Sequence, residues 1–242
     1  MTFRKFKKMT GTELLVFCLM ALSSGMVIGI GGASSLLANS LFSSAGKLIG
    51  ACLFSLGIYA IVVFEMKLFT GMIADMPTLG VKNFWQLPVC FFCNVLGVAI
   101  SSLFVYYSFI GETVSTQAAT LMESKLNAEF WWGRAFSSSI LCGALISISV
   151  KANNYAPQKN VSSTVGVIFP IIVFAFCGFD HSVANMMYVF YYGELSWKVV
   201  GYVALNFFGN IVGGVFLPTV TLLKERVKRQ KAVMKHVHRA GK

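Results

Sequence analysis

Six long blocks of apolar residues constrain this chain more than any other feature. They run over residues 14–37, 47–64, 84–110, 135–150, 165–179 and 197–223. Crossing a hydrocarbon core of about 30 Å takes about 20 helical residues. Lipid offers no hydrogen-bond partners, so backbone at that depth must satisfy itself. The blocks therefore predict six transmembrane helices, and six in one chain exclude buried core helices of a soluble domain. Composition agrees: 56% of the residues are hydrophobic and 12% are charged, about half the charge of a soluble domain.

The net charge of +11 is placed for a membrane rather than a nucleic acid. Arg4, Lys5, Lys7 and Lys8 precede the first block. Lys224, Arg226, Lys228, Arg229, Lys231, Lys235, Arg239 and Lys242 follow the last, and His236 and His238 belong to the same basic tail. With six crossings, both chain ends share a face with the second and fourth loops, which add Lys82, Lys151 and Lys159. The other face carries Glu112, Glu123, Glu129 and Glu194. Loops rich in Lys and Arg stay cytoplasmic. The pattern predicts a multi-pass protein of the cell's inner (plasma) membrane with both termini cytoplasmic. Residues 1–12 and 224–242 form basic flanks of one transmembrane domain spanning 1–242, and a juxtamembrane flank explains their charge without nucleic acid.

The first block is too long for a cleaved signal peptide. Cys18, Cys52, Cys90, Cys93, Cys142 and Cys177 all fall within apolar blocks. Cys90 and Cys93 lack the second pair or the histidines that a zinc site needs, so they read as packing residues. No disulfide, metal or cofactor is expected.

The polar segment 111–132 divides the spans three and three. Phe91-Phe92-Cys93-Asn94-Val95-Leu96-Gly97 in the third span resembles Phe207-Phe208-Gly209-Asn210-Ile211-Val212-Gly213 in the sixth. Ser23-Ser24-Gly25 in the first span has a weaker counterpart in Ser137-Ser138-Ser139 of the fourth. Three crossings per half make the second half inverted relative to the first, a plan that places substrate sites near the midplane. The middle span of each half is interrupted. The second meets Glu65-Met66-Lys67-Leu68-Phe69-Thr70-Gly71, and the fifth meets Gly178-Phe179-Asp180-His181-Ser182-Val183-Ala184-Asn185. Ionisable groups at such depth face a cavity or pathway. The half-helices that resume after each break are expected to turn their N-terminal N–H groups toward the midplane, where they favour anions.

These motifs resemble the formate/nitrite transporter family. The strongest pieces are Leu68-Phe69-Thr70-Gly71, the run from Gly178 to Met186, and Gly209-Asn210-Ile211-Val212-Gly213-Gly214, in that order on the second, fifth and sixth spans. The glycine-rich residues 25–32 and Asn83-Phe84-Trp85 also fit. The resemblance implies an all-α membrane channel of six helices in two inverted three-helix repeats, aquaporin-like, with the second and fifth helices broken. It further implies a homopentamer with a pore in each subunit, passing small monovalent anions of weak acids. Matching motifs would make His181 the central pore histidine, Thr70 its partner, and Asn210 a pore amide. Leu68 and Phe54 would form an apolar gate on one side and Phe174 would help form the other, with Lys125 in a vestibule. Three positions depart from the family pattern: Lys67 stands where an acid is usual, Met72 where Asn is common, and Gly143 where the fourth span often has Asn.

An anion in a hydrocarbon-lined constriction faces a large desolvation cost. Lys125 and Lys67 can draw it in, and His181 can either lend a proton or donate a hydrogen bond. Formate or nitrite is the expected cargo, with protons as the accompanying partner and hydrosulfide as the alternative. A neutral-solute pore of the aquaporin type also uses six spans and paired half-helices, but its Asn-Pro-Ala loops are absent. An intramembrane enzyme needs clustered catalytic groups; His181 is the one histidine in a span, and no nucleophile stands at suitable spacing.

Overall fold

The computed structural model describes residues 9–155 and 161–240. Arg4, Lys5, Lys7, Lys8, Lys159 and Lys242, and the side chains of Lys235, His236, His238 and Arg239, lie outside the described residues. Nine α-helices form among those described: α1 Gly11–Leu41, α2 Gly46–Val63, α3 Phe69–Ile73, α4 Gln86–Tyr106, α5 Gly111–Leu126, α6 Trp131–Tyr155, α7 Val161–Cys177, α8 Met186–Tyr192 and α9 Trp197–Ala240. Five stretches, containing α1, α2, α4, α6 and α9, are long and apolar enough to cross a bilayer. The apolar part of α7 is shorter, Thr164–Cys177, and α8 resumes its span after the break. The six predicted spans are thus all present, with both breaks where the sequence placed them.

Local signals explain the boundaries. Thr10 caps α1 by accepting from the Glu13 N–H at 3.2 Å, while Glu13 accepts from the Thr10 N–H at 2.8 Å, a reciprocal capping box. The polar connector contains a helix that its charge obscured. In α5, Val114, Ala118, Met122 and Leu126 are buried, one residue per turn, and this stripe packs against α8 and α1. The sixth span runs on without interruption into the basic tail. At 1.5 Å per residue, the 44 residues of α9 reach about 66 Å, roughly twice the hydrocarbon thickness.

Packing follows the inverted repeat. Helix α1 lies against α4, α6 against α9, and α2 against α7 between them. The first two contacts are matched atom for atom. A Cβ on Gly25 would strike the Asn94 carbonyl, and one on Gly97 the Leu22 carbonyl. In the second half, a Cβ on Gly143 would strike the Asn210 carbonyl, and one on Gly213 the Ile140 carbonyl. Small residues let membrane helices approach this closely. They also correct the register of the repeat. Gly25 corresponds to Gly143, not Ser139, so the serine-based alignment of the first and fourth spans was one turn out.

The molecule is apolar outside and polar within. Leu15, Phe92, Leu96, Phe208 and Phe216 are exposed, whereas Thr70, Asn94, Asp180, His181 and Asn210 are buried. That distribution suits a hydrocarbon surround and an interior polar path.

Candidate functional site

The two long half-helices end in the same way. In α2, Glu65 takes a left-handed conformation at φ 52°, and Met66 N–H reaches back to the Ile61 carbonyl at 2.9 Å. In α7, Gly178 is left-handed at φ 71°, and Phe179 N–H reaches the Phe174 carbonyl at 3.0 Å. Both are helix C-terminal caps of the type that glycine favours. Three residues beyond each cap stand Leu68 and His181, which are therefore counterparts. Asp180, likewise, is the counterpart of Lys67.

Beyond the caps, two asparagines hold the breaks in place. Asn94 on α4 accepts from the Phe69 N–H at 2.8 Å and donates to the Lys67 carbonyl at 2.9 Å and the Ala21 carbonyl at 2.7 Å. Asn210 on α9 accepts from the Ser182 N–H at 2.8 Å and donates to the Asp180 carbonyl at 2.9 Å and the Ser139 carbonyl at 2.8 Å. Each amide satisfies two backbone groups that the broken helix would leave bare and ties them to a carbonyl of the neighbouring unbroken helix, α1 or α6. Asn210 was expected to offer its amide to the pore; instead it is fully engaged with backbone, as Asn94 is. The repeated Phe-Phe-x-Asn motif was the signal that the two play one part. The N–H groups expected to face the midplane are also partly taken, at Phe69 and Ser182 by these amides.

Held this way, the breaks bring Thr70 and His181 together. Thr70 Oγ1 and His181 Nε2 lie 3.0 Å apart, and each residue is 1% exposed. On the far side of the ring, Nδ1 accepts from the Val183 N–H at 3.2 Å and the Ala184 N–H at 3.0 Å. A neutral imidazole accepts at one nitrogen and donates at the other, so this network assigns the ring proton to Nε2. The Nε2–H then donates to the Thr70 hydroxyl.

Apolar side chains enclose this contact. The Phe174 ring stacks on His181 at 5.8 Å between centroids, and Phe54 meets Phe174 edge-on at 5.7 Å. Phe54 and Phe174 were expected on opposite sides of the histidine, but they form a single aromatic layer. Leu68 is buried at the counterpart position of His181.

The charged residues separate into two groups. Lys125 on α5 donates to Asp180 Oδ1 at 2.6 Å and to the Gly178 carbonyl at 3.4 Å. The same carboxylate oxygen accepts from Asn185 Nδ2 at 2.7 Å and the Tyr202 hydroxyl at 2.6 Å. Asn185 and Tyr202 were not anticipated, since their link to Asp180 exists only once α8 and α9 are packed. Beside the break between α2 and α3, a cavity of about 260 Å³ is lined by Lys67, Leu68, Glu65, Met72 and Asp75 among others. Asp75 is paired with Lys151 at 2.9 Å. Lys67 is joined neither to Glu65 nor to Asp180, which is taken by Lys125. Among the described residues, no cluster of three or more His, Cys, Asp or Glu side chains could hold a metal.

This geometry can be set beside known proteins. The family model described as formate/nitrite transporter matches residues 2–223. The chain is 28% identical over 210 residues to the uncharacterized transporter YrhG of Bacillus subtilis, covering 81% of this chain and 79% of that protein. It is 24% identical over 241 residues to a probable formate transporter of Methanothermobacter thermautotrophicus, covering 84% and 87%. Formate channel FocB of Escherichia coli is 27% identical over 195 residues, covering 75% and 68%. Among solved structures, a pentameric formate channel with formate bound superposes with a TM-score of 0.76 over 90% of this chain and 99% of that chain, at 21% identity. An FNT family ion channel superposes at 0.70 over 88% and 91%, at 19% identity.

Proposed function

The chain belongs to the formate/nitrite transporter family, and on that footing we propose that it passes small monovalent anions of weak acids across a membrane, formate or nitrite foremost. Its relatives are transporters and channels rather than enzymes. One observation carries the reading: the hydrogen-bond distance of 3.0 Å between Thr70 and His181, which joins the two breaks beneath an aromatic layer. The pathway runs between these breaks within each subunit. Five subunits form a homopentamer, as in the pentameric channel whose fold this chain shares. The protein sits in the cell's inner membrane with both termini cytoplasmic, in keeping with its basic flanks.

The residues divide the task by their chemistry. Lys67 raises the local anion concentration at one mouth, while Lys125, paired with Asp180 at 2.6 Å, braces the His181 loop at the other. The Phe54–Phe174 layer and Leu68 are the narrow apolar points, where a bare charge is costly. Between them, the Nε2–H of His181 and the hydroxyl of Thr70 replace lost water by turning their hydrogen bonds from each other to the cargo. Asn210 acts by holding the His181 loop rather than by touching the ion. A weak acid crosses the apolar points most readily as the neutral molecule. Because backbone N–H groups occupy Nδ1, His181 acts as a neutral donor, and the proton comes from water.

The test is uptake of formate, nitrite and hydrosulfide into proteoliposomes at several pH values. Wild-type protein should transport at least one, and Thr70→Val should lower that flux about tenfold through loss of one hydrogen bond worth about 1.5 kcal/mol. Absence of uptake for all three, or permeation of water alone, would reject the reading. Hydrosulfide carried in preference to both oxyanions would select the alternative cargo.

A further inference from the structure

We propose that the cavity beneath Leu68 is an anion-holding antechamber built on Lys67, and that it makes the two mouths of the pathway unlike. The proposal rests on the transport reading above and concerns only the side from which an anion is held. The cavity, of about 260 Å³, has room for a small oxyanion and several waters at about 30 Å³ each. Its walls combine apolar residues, including Ile61, Met72 and Val150, with the charged side chains of Glu65, Lys67 and Asp75.

Two charged side chains on the cavity wall are left without a partner among the described residues, Lys67 and Glu65. Asp75 is already matched to Lys151, and Lys125 to Asp180. Lys67 is half-buried, and its side chain makes no hydrogen bond or ion pair among the described residues. Glu65, on the same wall, is exposed, so water screens its charge more than that of Lys67. An unmatched ammonium beside a cavity attracts a counter-ion, and a small monovalent oxyanion such as formate or nitrite fits both the charge and the space.

The repeat sharpens the asymmetry. Lys67 and Asp180 are counterparts, so one mouth has a carboxylate where the other has an ammonium. The carboxylate is neutralised by Lys125 at 2.6 Å, whereas the ammonium is left for the cargo. The Lys67 main chain is fixed independently of its side chain. Its carbonyl accepts from Asn94 Nδ2 at 2.9 Å and from Cys90 Sγ at 3.4 Å. Exchanging the side chain therefore leaves the loop intact.

Detailed balance makes low-concentration permeability equal in both directions, whatever sites line the path. A well near one mouth instead lowers the half-saturating concentration for entry from that mouth. The experiment measures formate flux into and out of vesicles in which a C-terminal tag reports the face that holds both chain ends. For entry from that face, Lys67→Gln should raise the half-saturating concentration about tenfold, as expected for loss of a focused charge. The value for the opposite face should move less than about twofold, and Lys67→Arg should restore the wild-type pattern. Equal shifts on both faces, no shift on either, or failure of arginine to restore it would overturn the antechamber while leaving the transport reading intact. A wild-type protein that carries no formate, nitrite or hydrosulfide would instead fail the transport reading itself.

Discussion

An imidazole has two nitrogens, and in this chain the fold has already taken one of them. His181 Nδ1 accepts from two backbone N–H groups, leaving Nε2–H as the donor that faces Thr70. A glutamine can supply an N–H from a similar place without titrating. His181→Gln is therefore expected to keep measurable flux and the wild-type pH profile, whereas His181→Ala loses most of the flux. A flattened pH profile in the glutamine variant, measured in proteoliposomes, would show that the histidine itself handles the proton. The asparagines give a second prediction at this scale. Because Asn94 and Asn210 make matching sets of three backbone bonds, Asn94→Ala and Asn210→Ala should destabilise the protein by similar amounts. About 1–3 kcal/mol is expected from the buried groups each leaves bare, read as a fall in thermal midpoint in detergent. A large loss of transport at Asn210 with no loss of stability would return that residue to the pore surface.

Among the elements, the broken spans show how one backbone design is written with different side chains. The cap after α7 uses Gly178 at φ 71°, and the cap after α2 uses Glu65 at φ 52°. A side chain in the left-handed region costs about 1–2 kcal/mol, so Glu65→Gly should stabilise the protein by about 1 kcal/mol, allowing for greater freedom of the unfolded glycine. Thermal unfolding in detergent is the measurement; a lower midpoint would mean that the carboxylate contributes more than its backbone costs. Helix α5 illustrates the reverse case. Its buried stripe of Val114, Ala118, Met122 and Leu126 is regular enough to read from sequence, yet the surrounding polar residues mask it. The helix also delivers Lys125 to Asp180, so a segment resembling a connector completes the site.

For the whole molecule, the exposed apolar belt and the basic continuation of α9 set the expectations. The proposed assembly should give a native mass of five chains plus bound detergent. A tag at the C-terminus should be cleaved in inverted vesicles and protected in right-side-out ones. A monomeric mass, or cleavage in right-side-out vesicles, would contradict the proposed assembly or orientation respectively. The unbroken helix also places Lys224, Lys228 and Lys231 on a rod continuous with the sixth span.

Hydrocarbon leaves backbone few choices, and that is why so much was legible beforehand. Span number, the two interruptions and their inverted relation follow from where apolar blocks run and where polar groups interrupt them, while the pairing of Thr70 with His181 was implied by the family resemblance of those interruptions. Tertiary structure alone decided how those polar groups pair. It put Phe54 beside Phe174 rather than across from it, and it turned Asn210 from a pore amide into a clamp. It also joined Lys125 to Asp180 and left Lys67 unpaired beside a cavity. The difference is physical: burial is a property of a segment and shows in its composition. Hydrogen-bond partnership is a property of angstrom distances between segments, and these depend on the close approach of Gly25, Gly97, Gly143 and Gly213 to neighbouring carbonyls.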